Sequence, residues 1–150
     1  MIAEDAGAAH PGAEFRVGRL PLVTGDPVGF RQLFTNLVDN AVRHGGRVDL
    51  VVVVEGQECP DGGVELSVRD NGRGIPAEHR ERVFGVFERL EGPSTSAGTG
   101  MGLAICRKIV EVLGGGIGIQ GDPGTDVRIV LPAAVAPRWP AQELTAGVAR

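Results

Sequence analysis

Asn36, Asn40 and Arg43 follow one another at spacings of four and three in the stretch RQLFTNLVDNAVRHGG. That spacing stacks them on one side of a helix. Asparagine is a mediocre interior helix residue because its amide competes for backbone groups, so the stripe raises the question of what it binds. A second constellation lies in VRDNGRGIP, where Asp70 ends a predicted strand and glycines follow at 72 and 74. Glycine there lets the chain turn sharply and lets a flat ligand approach without a Cβ in the way. A carboxylate beside such a surface can accept a hydrogen bond from an exocyclic amine. The same DNG triplet is a strong hairpin signal, and the residues alone leave a type I′ turn open. Third, SAGTGMGLAI sets Gly98, Gly100 and Gly102 directly before a helix. Free N–H groups and the positive end of a helix dipole make that a place for phosphate, with a flexible hinge as the alternative. Two phosphate motifs fail on spacing. The P-loop needs a Gly-Lys pair, and the chain has none; the Rossmann fingerprint needs a strand before it and its third glycine one position later.

These residues need elements to hold them. TGDPVGF reads as a helix start, with Asp26 as N-cap and Pro27 at the first helical position. Apolar residues at Phe30, Leu33, Phe34, Leu37, Val38 and Ala41 keep one face buried, and Gly45-Gly46 end the helix near His44. EFRVGRLPLV reads as a short strand pair, RVDLVVVVE as a β-branched strand, GQECPDGG as a turn and VELSVRD as an alternating strand. IPAEHRERVF predicts a short helix, RLEGPSTSAGTG a mobile loop, and MGLAICRKIVEVLGG a second amphipathic helix. IGIQG and DVRIVLP read as a closing hairpin. Residues 1–13 are expected to be a flexible segment and 135–150 a disordered tail rich in proline and small residues, leaving one domain over 14–134. Strands and helices in this order predict an α+β fold, a two-layer sandwich with a mixed sheet, not a doubly wound parallel sheet.

Composition narrows the setting. At 150 residues and 42% hydrophobic content the chain suits a single core. A net charge of -4 supplies no strong field toward nucleic acid or an anionic membrane. Two cysteines make no disulfide framework, and Cys106 among apolar neighbours reads as a core thiol. No apolar run is long enough to span a bilayer, and the N-terminus lacks a signal-peptide pattern. A cytoplasmic domain is expected.

Taken in order, the motifs resemble the ATP-binding fold shared by sensor histidine kinases, DNA gyrases, heat-shock chaperone ATPases and mismatch-repair ATPases. NLVDNAVRHG resembles the asparagine box, DNGRGIP the first glycine box, VFGVFERL the phenylalanine box and GTGMGLAICRKIVEVLGG the second glycine box. GDPGTDVRIVLP resembles a shortened terminal segment, with Val127 where an aromatic is usual. The match runs from about Phe15 to Pro132, and FERL with GTGMGLAICRKIVE is most similar to the histidine kinase branch, phytochrome-type kinases included.

The resemblance implies a site. Asn40 would coordinate Mg²⁺ through its amide oxygen, a hard neutral ligand suited to the ion beside a triphosphate, and Asn36 would support it. Arg43 would offset phosphate charge, and His44 replaces a more usual aromatic beside the nucleotide. Asp70 would read the adenine amine, with Gly74 making room for the base, Gly72 beside it and Thr125 helping through water. Gly98, Thr99, Gly100, Met101, Gly102 and Leu103 would meet the nucleotide from the second glycine box. A mobile ATP lid would run from about Gly72 to Gly100, anchored by Phe84 and Phe87. Catalysis would rest on positioning and charge neutralisation, with Asn36 and Arg43 as the catalytic side chains.

Position 36 separates the branches. ATP-hydrolysing and serine-phosphorylating relatives carry a glutamate there, the base that a water or hydroxyl nucleophile needs. A neutral imidazole already presents a lone pair, so Asn36 favours a histidine acceptor over an anti-sigma-type serine kinase. None of His10, His44 and His79 resembles that acceptor, so it is expected on a separate dimerisation hairpin, with a response regulator downstream. The chain then reads as a catalytic domain of a larger kinase or a stand-alone version of one, monomeric by itself. A degenerate nucleotide-binding or scaffold module is the alternative.

Overall fold

Asp26 caps the first helix as its sequence predicts. In the computed structural model, which describes residues 8, 10–85, 102–121, 123–133 and 138–139, its carboxylate accepts from the backbone N–H groups of Val28 and Gly29, both at 3.1 Å. Helix α1 then runs Pro27–Gly45, and Gly46 ends it in the left-handed conformation at φ 71°. Phe30, Leu33, Phe34, Leu37, Val38 and Ala41 form its buried face. Each large apolar side chain so buried is worth about 1.5–3 kcal/mol.

The strands are β1 (Glu14–Val17), β2 (Val23–Thr24), β3 (Val51–Glu58), β4 (Val64–Asp70), β5 (Gly116–Gln120), β6 (Thr125–Leu131) and β7 (Arg138–Trp139), and the second helix is α2 (Gly102–Val112). Five strands make one mixed sheet in the order β1-β3-β4-β6-β5, with β1 parallel to β3 and the other neighbours antiparallel. One face, with Val52, Leu66, Val68, Val127 and Ile129, packs on the apolar sides of α1 and α2. The other face carries a polar network across β4 and β6. Ser67 Oγ donates to Asp126 Oδ1 at 2.6 Å, and Arg128 holds Asp126 Oδ2 at 2.9 Å and Glu65 Oε1 at 2.6 Å. Among the described residues, α1 and α2 lie against the apolar face of the sheet. The result is the expected two-layer α+β sandwich.

Several local readings change. The strand pair expected in EFRVGRLPLV is split: β1 joins the large sheet, whereas β2 pairs antiparallel with β7. Arg138 and Trp139 fall in the segment expected to be disordered and form that second strand. GQECPDGG is not all turn, because β3 continues to Glu58 opposite Val64. IPAEHRERVF makes two 3-10 turns, Ala77–His79 and Arg82–Phe84, in place of one short α-helix. The DNG triplet is not a hairpin, since β4 pairs with β3 and β6 and the chain leaves the sheet after Asp70.

Candidate functional site

The stripe on α1 sits at the helix flank. Asn36 and Asn40 are half-buried, while Arg43 and His44 are exposed in the last turn, where positive charge complements the helix dipole. The Asn36 amide nitrogen is buried and has no hydrogen-bond partner. Beneath it, the Cys106 thiol on α2 is fully buried and donates to the Leu33 carbonyl at 3.7 Å. Burial pushes that thiol up to about 12, only partly offset by the neighbouring Asn36 amide, so Cys106 stays a protonated core group. An orphaned buried donor costs about 1–3 kcal/mol.

Asp70 ends the central strand β4, in register with Val52 on one side and Thr125 on the other. The residue is buried, and its Oδ1 accepts the Gly72 N–H at 2.8 Å. Burial raises its pKa above the ordinary value, against the opposing pull of the Gly72 and Thr125 backbone N–H groups. A carboxylate has about four lone-pair positions, so two backbone donors leave it able to take another from a ligand.

Glycines bring this strand end onto α1. A Cβ at Gly72 would lie 2.6 Å from the Gly45 Cα and carbonyl oxygen, and Arg73 N donates to Gly45 O at 2.9 Å. Gly124, at φ 82°, rests against the Asp70 carbonyl so closely that a Cβ would sit 2.1 Å from its oxygen. At Gly74, φ 73°, the space of a Cβ is met by the Gly124 carbonyl at 2.7 Å. The end of β4, the start of β6 and the last turn of α1 therefore meet backbone to backbone, with Asp70 between them.

The segment after Gly74 is tied down by two arginines. Arg80 donates to the carbonyls of Ile75, at 3.0 Å, and Gly121, at 2.7 Å. Arg107 of α2 pairs with Glu81 at 2.5 Å and lies 4.3 Å over the ring of Phe84, which is buried. Gly102 opens α2 with nothing near its Cβ position, and Leu103 turns its side chain into the core. Phe87, Gly98, Thr99, Gly100 and Met101, with most of the expected lid, lie outside the described residues.

Sequence reasoning missed Arg47, Asn71, Arg80 and Arg107. Asn71 enters the sequence only as the middle of a turn signal; the arginines carry no motif, and apart from the Arg47–Asp49 pair their partners are backbone carbonyls or, for Arg107, a side chain 26 residues away.

The donor set matches a Mg²⁺–nucleotide pair in kind. Among the described residues no three His, Cys, Asp or Glu side chains gather as a metal cage. The amides at positions 36 and 40 are neutral oxygen donors of the kind Mg²⁺ accepts, and the ion takes few protein ligands when phosphates supply others.

A family model described as histidine kinase-, DNA gyrase B- and HSP90-like ATPase matches residues 25–135. The chain is 40% identical over 113 residues to phytochrome-like protein Cph1 of Synechocystis sp., covering 75% of the chain and 15% of that protein. It therefore spans only a small part of that relative's length. The structure of the mycobacterial sensor histidine kinase MprB superposes with a TM-score of 0.80 at 31% identity, covering 90% of this chain and 93% of that one. Full-length ShkA, solved in complex with AMPPNP, superposes with a TM-score of 0.73 at 26% identity over 90% of this chain and 30% of that one.

Proposed function

Since the chain belongs to the histidine kinase-, DNA gyrase B- and HSP90-like ATPase family as an ATP-binding catalytic domain homologous to sensor histidine kinases, we propose that it binds Mg-ATP and passes the γ-phosphate to a histidine on a separate helical hairpin. The observation that carries this is the buried Asp70 carboxylate, locked by Gly72 and Arg73 against the turn of α1 that follows Asn36 and Asn40. One end of that arrangement accepts an amine from a base; the other would offer amide oxygens to Mg²⁺ and a cation to phosphates. That full-length ShkA, similar to this chain over 30% of its length, was solved in complex with AMPPNP supports the reading.

Asn40, with Asn36, would hold Mg²⁺, which supplies charge neutralisation to the phosphate oxygens when bound. Asp70, with Thr125 beside it, takes the adenine amine and so sets the nucleotide's register. Gly72 and Gly74 keep the backbone close below it. Arg43 and His44, exposed on the last turn, face outward where phosphates would lie, and Arg43 offsets their charge. Gly102 and Leu103, at the start of α2, would meet the nucleotide through backbone N–H groups; Gly98, Thr99, Gly100 and Met101, proposed for the same role, lie outside the described residues. In the transfer, an imidazole nitrogen of the acceptor forms a bond to the γ-phosphorus, the bond to the β–γ bridging oxygen breaks, and ADP leaves. No carboxylate base stands at position 36, and a neutral imidazole needs none.

His10, His44 and His79 stand at a turn, at the end of α1 and in a 3-10 turn, so the acceptor belongs to another segment or chain. The hairpin is then the immediate partner, a response regulator the next, and the cytoplasm the setting. Among the described residues no helix is long and apolar enough to cross a membrane.

Calorimetric titration with a non-hydrolysable ATP analogue, with and without Mg²⁺, tests the site. Binding is expected to depend on Mg²⁺ and to lose that dependence in Asn40→Ala. A folded sample that binds no nucleotide in either condition overturns the proposal. Transfer of labelled phosphate to an added acceptor hairpin tests the second half, and binding without transfer favours a scaffold.

A further inference from the structure

The residue beside Asp70 has an unusual set of partners. In the ladder between β3 and β4, Asp70 faces Val52, and the next backbone pair would join Asn71 to Val51. Asn71 N still reaches the Val51 carbonyl, at 3.3 Å. The return bond is not made by the backbone. Val51 N donates to the Asn71 side-chain oxygen at 2.8 Å, and the Asn71 side-chain nitrogen donates to the Asp49 carbonyl at 3.2 Å. The amide side chain thus stands in for one more residue of strand, satisfying the first donor of β3 and an acceptor just before it.

The substitution releases the Asn71 main-chain carbonyl, which accepts from Arg47 Nη1 at 3.0 Å. The same guanidinium grips Asp49 through two bonds of 2.7 Å each, a fork that fixes its plane. With the Asn71 carbonyl turned out of the ladder, Gly72 N points back to Asp70 Oδ1, and Arg73 N goes to Gly45. The direction of the Asp70 carboxylate follows from where the strand stops.

Resting on the nucleotide reading above, we propose that Asn71, braced by Arg47, is a positioning residue that ends β4 at Asp70 and so aims its carboxylate at the base. Asn71 itself touches no nucleotide in this account. It sets base selectivity by fixing the acceptor that tells an exocyclic amine from a carbonyl.

The test compares the affinities of AMPPNP and of the guanosine counterpart for the wild-type domain, Asn71→Ala and Arg47→Ala, all with Mg²⁺. In Asn71→Ala the preference for the adenosine analogue is expected to fall about tenfold, the scale of one hydrogen bond to a charged group. The Gly72 amide signal of the nucleotide-free domain is expected to shift as its bond to Asp70 loosens. A merely structural role would lower both affinities together and leave their ratio alone. An unchanged ratio, or an unmoved Gly72 amide, overturns the proposal. Should Asn71→Ala fail to fold, Arg47→Ala carries the test, with an expected fall of about threefold; an unchanged ratio there overturns it equally. A wild-type domain that binds neither nucleotide overturns the nucleotide reading, and the role of Asn71 with it.

Discussion

A buried carboxylate is a poor device for stability, and Asp70 shows why it is kept. Its folded pKa lies above the ordinary value of 3.8 because burial outweighs the Gly72 and Thr125 N–H groups. Such a group holds its proton more tightly in the folded chain than in the unfolded one. Its stabilising effect is therefore full below the unfolded value and is lost as pH rises through the folded one. At neutral pH the ionised side chain works against folding. Asp70→Asn is expected to melt at or above the wild type at pH 7, with the gap closing on acidification, as a pair of thermal melts across pH would show. The same variant should lose about 10- to 100-fold in affinity for an adenine nucleotide, the worth of a hydrogen bond to a charged acceptor. A lower melting temperature at pH 7 would mean that the two N–H bonds, not the ligand, are the reason for the residue. The asparagine stripe was legible at this scale, because residue type and helical spacing are both local. Asn71 was not. Its side-chain partners, Val51 and Asp49, lie 20 and 22 residues away, and no local pattern shows an amide replacing a strand residue.

Among the elements, α1 is the one whose ends matter most, since the site proposed on its stripe requires that the last turns stay wound. Its start is held by Asp26, which satisfies two otherwise orphaned N–H groups. Asp26→Ala should lower stability by about 1 kcal/mol, read as a fall in denaturation midpoint with no change in the slope of the transition. Nucleotide affinity should change little, as the capped end lies far along the helix from Asn40. The 3-10 turns after Gly74 show the opposite case. IPAEHRERVF has helical spacing, yet Arg80 draws the chain toward Ile75 and Gly121, and Arg107 draws Glu81 and Phe84 toward α2. Tertiary ties of that kind favour short tight turns over a continuous α-helix.

For the whole molecule, the decisive contact joins three elements far apart in sequence: the end of β4, the turn before β6 and the end of α1. Gly124 is its tightest point, with a positive φ and a Cβ position 2.1 Å from the Asp70 carbonyl oxygen. Gly124→Ala cannot be absorbed by a side-chain shift, because the atoms nearest its Cβ position are backbone of Asp70 and Asn71. It should cost on the order of 1–3 kcal/mol from strain and also misplace Asp70 and Thr125, so that melting temperature and nucleotide affinity fall together. Affinity retained at wild-type level in a destabilised variant would show that the turn supports the fold alone. The family match, covering residues 25–135, spans these three elements.

The chain's own order of residues determined what depends on near neighbours. The caps and apolar face of α1, the β-branched strands, the glycine-rich approach to α2 and the grouping of amides and carboxylate into motifs all follow from short-range spacing. Only the tertiary structure decided whether DNG was a hairpin or a strand end. It also decided which sheet β1 and β2 joined, and what the glycines at 72, 74 and 124 make room for. Those outcomes rest on contacts between segments tens of residues apart. Their selection comes from backbone groups that must find partners and from close approach that only a missing Cβ permits.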